Sequence, residues 1–227
     1  MIQINQAFIP QNRYYPLIYF ILLLSFPCFS SPQEERIDIG RFSQNDLSGW
    51  KEKSFLGHSH YSLIPVKNTT VLKAQTSAAA SGMFKEVDID LNKTPFINWS
   101  WKIDNIYHGN NERSKEGDDY PARLYVVISG GLFFWKTQSV NYVWSSHQAA
   151  GTAWDSAYTS NSKMVAIRSG NKETGQWLKE KRNIHTDFKQ LFGEEITKIH
   201  AIAVMSDSDN TQQSTTVYYG DIYFSAE

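Results

Sequence analysis

Two groups of acidic side chains flank predicted strands and have the chemistry for a binding or catalytic site. Asp119 precedes Arg123 at the start of one predicted strand, and Asp207, Asp209 and Asn210 follow another. Carboxylate and amide oxygens that converge at a strand end are ligands that Ca²⁺ prefers, so Asp207 and Asp209 are predicted calcium ligands. Neither group completes the calcium-binding loop of about twelve residues, and the capping of ordinary turns is the alternative role for such side chains.

The same residues allow a second chemistry, which is acid and base catalysis on a sugar. Two carboxylates in different environments serve as acid and base in glycoside hydrolysis, and Asp119, Asp207 and Arg123 are the candidate set for a hydrolase or lyase. Ion pairs that only stabilise a fold use the same residue types. The chain lacks a Gly-x-Ser-x-Gly elbow, a His-Glu-x-x-His motif, a phosphate-binding glycine loop and a dinucleotide fingerprint, so no motif identifies a reaction.

Aromatic residues are abundant, with 7 Trp, 12 Tyr and 13 Phe among 227 residues. Such side chains suit the packed face of a β-sheet, which makes a β-rich core their ordinary role. Tyr142 and Trp144 alternate in one predicted strand, and we predict that they form a platform on which sugar rings stack. Asp119, Arg123 and Asn210 would then exchange hydrogen bonds with hydroxyl groups of the same ligand.

The N-terminal segment has the pattern of an export signal. Arg13 is the only charged side chain before residue 31 and precedes the apolar run from Leu17 to Leu24. The run is shorter than the roughly 20 residues of a membrane-spanning helix and ends near Ser30, where small residues suit cleavage. We predict a signal peptide over residues 1–30, a periplasmic or secreted protein, and no membrane span after cleavage. Lipidation of Cys28 and an uncleaved anchor are the alternatives.

Charge and cysteine content narrow the remaining classes of function. The chain carries 22 basic and 23 acidic residues for a net charge of -1, which gives no overall field for nucleic acid or an anionic membrane. Cys28 is the only cysteine, so the mature chain would contain no disulfide, thiol nucleophile or cysteine-ligated zinc. No cofactor is predicted other than a structural calcium ion.

The elements that must position these side chains are predicted to be strands. Short alternating runs separated by turn residues indicate an all-β sandwich or barrel, and one face of the clearest run holds Ile97, Trp99, Trp101 and Ile103. We predict about ten strands, which are Tyr61–Val66, Thr70–Gln75, Gly82–Leu91, Phe96–Asp104, Arg123–Ser129, Gln138–Ser145, Met164–Ser169, Gln176–Ile184, Ile196–Met205 and Thr215–Ser225.

Two of these runs are apolar at nearly every position, which predicts central strands covered on both faces. They are Leu124–Ile128 and Ile199–Met205. One short helix is predicted over Phe188–Phe192, with Thr186 or Asp187 as its N-cap and Gly193 as its end. No linker divides the mature chain, so residues 31–227 are predicted to form a single domain in which Asn105–Asp119 is a surface loop.

Four short segments occur together in one order: Gly117-Asp-Asp-Tyr-Pro-Ala-Arg-Leu-Tyr-Val-Val, Asn141-Tyr-Val-Trp-Ser-Ser, Asp207-Ser-Asp-Asn-Thr and Tyr219-Gly-Asp-Ile-Tyr-Phe. Together they resemble the bacterial exported family catalogued as domain of unknown function number 3047. The resemblance covers roughly Phe42 to Phe224. It implies export and a single domain, and it carries no established activity. A weaker architectural likeness is to jelly-roll carbohydrate-binding modules, whose last strand often contains an Asp-Ile pair like Asp221-Ile222 beside a structural calcium site.

The sequence thus predicts an all-β, jelly-roll-like antiparallel β-sandwich with about ten strands and one short helix. We expect an exported protein that binds a glycan or another cell-envelope polymer without cleaving it. A polysaccharide hydrolase or lyase and a structural or assembly partner in the envelope are the alternatives.

Overall fold

Strands dominate the described part of the chain, as the sequence predicts. The computed structural model describes residues 35–132 and 134–227, and Glu34–Glu227 form one compact unit. The predicted signal peptide over residues 1–30 lies outside the described residues and stays a prediction. The elements are β1 (Arg36–Gly40), β2 (Lys51–Leu56), β3 (His60–Val66), β4 (Thr69–Ser77), β5 (Ala80–Asp90), β6 (Phe96–Ile103), β7 (Ala122–Ile128), β8 (Gln138–Ser145), β9 (Ala153–Asp155), β10 (Ser162–Ser169), β11 (Leu178–Asn183), α1 (Ile184–Phe192), β12 (Lys198–Asp207), β13 (Ser214–Tyr219) and β14 (Ile222–Ser225).

The strands form two seven-stranded sheets. The first sheet has the order β1-β14-β6-β13-β4-β3, and β11 pairs with β6 in addition. The second sheet has the order β2-β5-β12-β7-β8-β10-β9. Neighbouring strands are antiparallel except β8 and β10, which pair in parallel. The all-β class is confirmed, with more strands than the ten predicted.

The core lies between the two sheets and is rich in aromatic rings. Trp99 and Trp101 of β6 are buried on the same face as Ile97 and Ile103, so the predicted alternation of β6 is confirmed. The ring of Trp99 stacks on Tyr142 of β8 at a centroid distance of 5.4 Å. Such pairs add to the stability that apolar burial provides, and this one joins the two sheets.

The described part of the chain has four more strands than the ten predicted. The structure adds β1, β2 and β9, and it divides the predicted strand Thr215–Ser225 into β13 and β14. Every residue of the charged edge strand β2 is exposed, so no apolar alternation marks it. Between β13 and β14, the backbone N–H of Gly220 donates to the carbonyl of Ser100 at 2.9 Å, and a Cβ at position 220 would collide with the Ser100 side chain.

The helix is longer than predicted and has a different N-cap. It spans Ile184–Phe192, and the side chain of Asn183 accepts a hydrogen bond from the backbone N–H of Thr186 at 3.0 Å. The prediction of Thr186 or Asp187 as the cap is therefore wrong, because Asn183 already satisfies that first-turn donor. Gly193 ends the helix with a φ of 74°, a conformation that favours glycine.

The segment between β6 and β7 packs more deeply than a surface loop. Glu112 is fully buried, and its carboxylate accepts hydrogen bonds from the backbone N–H of Ser146 at 2.5 Å and from the hydroxyl of Ser145. Tyr107 and Tyr120 are fully buried as well. This anchoring fixes the end of the loop, where Asp118 and Asp119 lie.

In the described ranges, no helix is long and apolar enough to cross a membrane.

Candidate functional site

A cleft of about 460 Å³ lies on the outer face of the second sheet. Side chains alternate along a strand, so Leu124 and Val126 of β7 enter the core while Arg123 and Tyr125 face the cleft. The register places Tyr125 directly opposite Asn141 of β8. Six neighbouring strands contribute to the lining, with one residue from each being Phe55, Ala80, Met205, Tyr125, Asn141 and Met164.

The central strands are therefore not covered equally on both faces. β12 and β7 lie in the middle of the second sheet, as predicted. Their outward residues Tyr125, Val127 and Ala203 are only partly buried, and these strands form the floor of the cleft. The prediction of full cover on both sides is wrong, because the first sheet packs against only one side.

Arg123 is the centre of a buried charge network at one end of the cleft. Its Nε donates to Asp207 Oδ1 at 2.8 Å, and its Nη2 donates to Asp207 Oδ2. The same guanidinium donates to the backbone carbonyl of Asp118 and to the Asp118 carboxylate at 3.4 Å. Nη1 also donates to the hydroxyl of Tyr125 at 3.3 Å. Because every N–H direction of Arg123 meets an acceptor, the side chain is held rigidly and offers no free donor.

Burial raises the pKa values of the acid groups in this network. It raises the pKa of Asp207 to about 7, against the opposing effect of the Arg123 guanidinium. Burial also raises the pKa of Asp118, and it raises the pKa of Tyr125 to about 12. Burial therefore favours the protonated forms of these groups, against the attraction of the Arg123 guanidinium.

Asp119, Asp207 and Asp209 converge, as the sequence predicts for oxygen ligands. Each offers a carboxylate oxygen, and these oxygens lie within 4.8 Å of one another. Asp119 is fully buried and accepts hydrogen bonds from the backbone N–H groups of Asn210 at 3.3 Å and Thr211 at 2.5 Å. Burial raises the pKa of Asp209, and the nearby Asp119 charge adds to the shift.

A calcium ion would have to compete with these existing partners. Both oxygens of Asp207 bind Arg123, and both oxygens of Asp119 bind backbone N–H groups. Ca²⁺ takes about six to eight oxygen ligands, and the guanidinium already supplies the positive charge beside Asp207. Calcium binding at Asp207 and Asp209 stays a prediction, with Arg123 as its competitor.

Two buried acceptors of the cleft lining lack a hydrogen-bond partner within the described part of the chain. They are Oδ1 of Asp118 and Oδ1 of Asn141. The amide nitrogen of Asn141 donates to the hydroxyl of Ser162 at 2.6 Å and to the carbonyl of Lys163 at 3.3 Å, which fixes the orientation of the amide. A buried polar atom without a partner is destabilising unless a ligand or water satisfies it.

Two exposed aromatic rings border the cleft. Phe55 of β2 is 64% exposed and Tyr158, after β9, is 59% exposed. The Tyr158 hydroxyl donates to the backbone carbonyl of Lys115 at 3.3 Å, which holds the ring in place. Aromatic side chains beside a few polar groups in a cleft are typical of a ligand site.

The predicted stacking platform does not lie at the surface. Tyr142 and Trp144 are both fully buried between the sheets, where Trp144 packs against Trp101 at a ring distance of 6.0 Å. The Tyr142 hydroxyl donates to Asp187 at 2.5 Å, and the indole N–H of Trp144 donates to the carbonyl of Gly170 at 3.0 Å. These two residues are correctly placed in a strand, but they belong to its core face.

The structure brings most of the predicted polar residues to the cleft and adds others. Arg123, Asp207, Asp209 and Asn210 line it, whereas Asp119 is fully buried and is not part of the lining. The sequence analysis missed Asn141, although a lone amide inside the apolar run Val140–Trp144 was a usable signal. It also missed Phe55 and Tyr158, for which no pattern in the sequence indicates a shared location.

Residues 48–223 match the family described as "Protein of unknown function (DUF3047)". No curated protein matches the chain in sequence. Among solved structures, the chain is similar to the family 30 carbohydrate-binding module of the cellulosomal cellulase Cel9D-Cel44B of Clostridium thermocellum, with 11% identity, a TM-score of 0.48, and coverage of 84% of this chain and 98% of that chain.

Two further solved structures have lower TM-scores. The CBM22-2 xylan-binding domain of Paenibacillus barcinonensis Xyn10C has 10% identity and a TM-score of 0.41, over 82% of this chain and 97% of that one. The cellulose-induced protein Cip1 has 9% identity and a TM-score of 0.46, over 84% and 97% of the two chains. At these identities the likeness concerns the fold alone.

Proposed function

The chain belongs to the family of proteins of unknown function DUF3047, and we propose that it binds an extended glycan in the cleft on its second sheet without cleaving it. The observation that carries this proposal is the pair of exposed aromatic rings, Phe55 and Tyr158, at the border of a cleft whose lining also holds polar side chains. Sugar rings have an apolar face that stacks on an aromatic ring and a polar rim that exchanges hydrogen bonds. The cleft offers partners for both.

The length of the cleft supports a polymer rather than a single sugar. Its lining comes from six neighbouring strands, from β2 to β10. Strands lie about 4.8 Å apart, so the lined surface crosses about 24 Å of the sheet. An oligomer that lies across the strands could contact the rim aromatics and the floor at once.

The unpartnered acceptors support hydroxyl recognition in particular. Oδ1 of Asp118 and Oδ1 of Asn141 need donors, and a glycan presents many hydroxyl donors along its length. The floor around them is rigid, because Arg123 and the Asn141 amide nitrogen are held by several hydrogen bonds. Prearranged partners lower the ordering cost of binding. A protein exported by the predicted signal peptide would meet such polymers outside the cytoplasm.

Depletion of the purified protein by insoluble polysaccharides and peptidoglycan tests the proposal. Each polymer is incubated with wild type, with Tyr158→Ala and with Trp177→Ala, and the unbound protein is measured. Trp177 is an exposed aromatic residue that precedes β11 of the first sheet and packs near Tyr218, so it is the matched control. We expect one class of polymer to deplete wild type and the control variant, and to deplete Tyr158→Ala less.

The same samples separate the proposal from its alternatives. New chain ends released from a polymer, and lost in Asp207→Asn, would contradict non-catalytic binding and support a hydrolase or lyase. Failure of every polymer to deplete the protein would contradict glycan binding and favour an envelope protein as the partner.

A further inference from the structure

The side chains that line the cleft include more acidic groups than basic groups. Three carboxylates, those of Asp118, Asp207 and Asp209, line it together with the single guanidinium of Arg123. A carboxylate oxygen of Asp119 lies within 4.8 Å of those of Asp207 and Asp209. Aspartates outnumber arginine in a partly enclosed space, where the surrounding protein of low dielectric constant strengthens a field. A ligand group with positive charge would therefore be attracted to the cleft.

The unpaired hydrogen-bonding groups of the cleft also favour a ligand that donates hydrogen bonds. Two acceptors, Oδ1 of Asp118 and Oδ1 of Asn141, have no partner among the described residues, and Asp118 and Asn141 are 7% and 1% exposed. Arg123 has no donor left to give, because all of its N–H groups bind Asp207, Asp118 or Tyr125. A carboxylate or sulfate group on a ligand would be repelled by these two acceptors and by the carboxylates of the lining.

On these two observations, and resting on the proposed function, we infer that the ligand of the cleft carries protonated amines: it is an amino-sugar polymer with free, unacetylated amino groups. An ammonium group donates three hydrogen bonds and carries the charge that the floor lacks. Acetylation removes that charge and adds bulk at the same position.

The rim lysines do not cancel this bias. Lys115 Nζ lies 5.6 Å from the ring centroid of Tyr158, and Lys53 Nζ lies 5.3 Å from that of Phe55. Neither lysine is part of the cleft lining. Both lysines are exposed, and exposed charges are screened by salt, whereas the buried carboxylates of the lining are screened less.

Three β-1,4-linked oligomers of equal length test the inference, because they differ only at carbon 2 of each sugar. Glucosamine, N-acetylglucosamine and glucose oligomers carry an ammonium, an acetamide and a hydroxyl group there. We expect isothermal titration of the wild-type protein to give about tenfold tighter binding for the glucosamine oligomer than for the other two. The preference should shrink at high salt and persist in EDTA.

Asp209→Asn removes one charge of the cleft while it keeps the size of the side chain. Asp209 is only partly buried and has no salt bridge among the described residues, so we expect this variant to fold. It should lose several-fold of the affinity for the glucosamine oligomer and none for the glucose oligomer. Asp104→Asn, directly after β6 of the first sheet, makes the same charge change outside the cleft lining and should leave both affinities unchanged.

The other outcomes distinguish a failure of the amine inference from a failure of the glycan-binding proposal. Equal binding of all three oligomers, or preference for a neutral or acidic polymer at the cleft, would overturn the amine inference and leave glycan binding in place. Loss of binding in EDTA would contradict the amine inference and show that binding depends on a metal ion such as calcium. Absence of binding to these oligomers and to the whole polysaccharide panel would overturn both proposals.

Discussion

Replacement of Tyr158 by Ala should weaken glycan binding by about tenfold and leave the fold intact. Tyr158 is 59% exposed, and an aromatic side chain presents about 200 Å² in total, so about 120 Å² is accessible to a ligand. A sugar on one face of the ring would cover about half of that area. At about 25 cal/mol per Å², the lost contact corresponds to about 1.5 kcal/mol, which is about tenfold in Kd.

The assay is isothermal titration with a soluble oligomer of whichever polymer depletes the wild-type protein. Phe55→Ala should have an effect of similar size, since Phe55 is 64% exposed. The double variant should lose about the product of the two effects if the rings contact different sugars. Trp177→Ala is the control that removes an exposed aromatic ring from the other sheet.

Thermal unfolding of the same variants separates a binding effect from a folding effect. Exposed substitutions away from structural features usually change stability by about 0.5 kcal/mol or less, so the melting temperatures of Phe55→Ala and Tyr158→Ala should match that of wild type. Trp177 is only 38% exposed and packs near Tyr218, so Trp177→Ala should lower the melting temperature and still bind the glycan. Unchanged affinity in both Phe55→Ala and Tyr158→Ala would refute the assignment of the cleft. An equal loss of affinity in Trp177→Ala would refute it as well, because the binding surface would then include the first sheet.

Three other predictions address the core and the charge network. Trp144→Ala should lower the free energy of unfolding by about 3 to 5 kcal/mol, because the ring is fully buried against Trp101; a variant as stable as wild type in urea unfolding would show that the core assignment is wrong. Raising the pH from 5 to 8 should lower the melting temperature. The reason is that burial raises the pKa of Asp207 from 3.8 to about 7. Between these values the folded state binds a proton that the unfolded state has released, and this stabilisation is lost as the pH rises through 7. A melting temperature that increases over this range would contradict the prediction. EDTA should leave the melting temperature unchanged, because Arg123 already occupies both carboxylate oxygens of Asp207. A clear decrease that Ca²⁺ reverses would establish the calcium site instead.

The fold class was predictable because the apolar pattern is periodic where strands are buried. The alternation of Ile97, Trp99, Trp101 and Ile103 needed no tertiary information, since the same face of β6 meets the other sheet along its whole length. β2 escaped prediction because it is a charged edge strand with every residue exposed. The break at Gly220 depends on a close contact with Ser100, which lies far away in the sequence.

The candidate site was predictable only in part, for a related reason. The sequence places Arg123 at the start of one predicted central strand and Asp207 and Asp209 after the end of another, and their membership of one site was a hypothesis. The antiparallel pairing of β7 with β12 brings these two strand ends together. It does not indicate which face of β8 turns inward, and the choice of Tyr142 and Trp144 as a platform followed the wrong face. One residue earlier, Asn141 faces the cleft. A period of two makes this error complete, because a shift by one residue exchanges the two faces.

The most direct test of the central claim is a map of backbone amide chemical shifts during titration with the oligomer selected above. Binding in the cleft predicts that the largest changes occur at Phe55, Asn141 and Tyr158, with little change at Lys73 and Tyr218 on the outer face of the first sheet. Changes confined to the first sheet, or no changes at saturating glycan, would contradict the account.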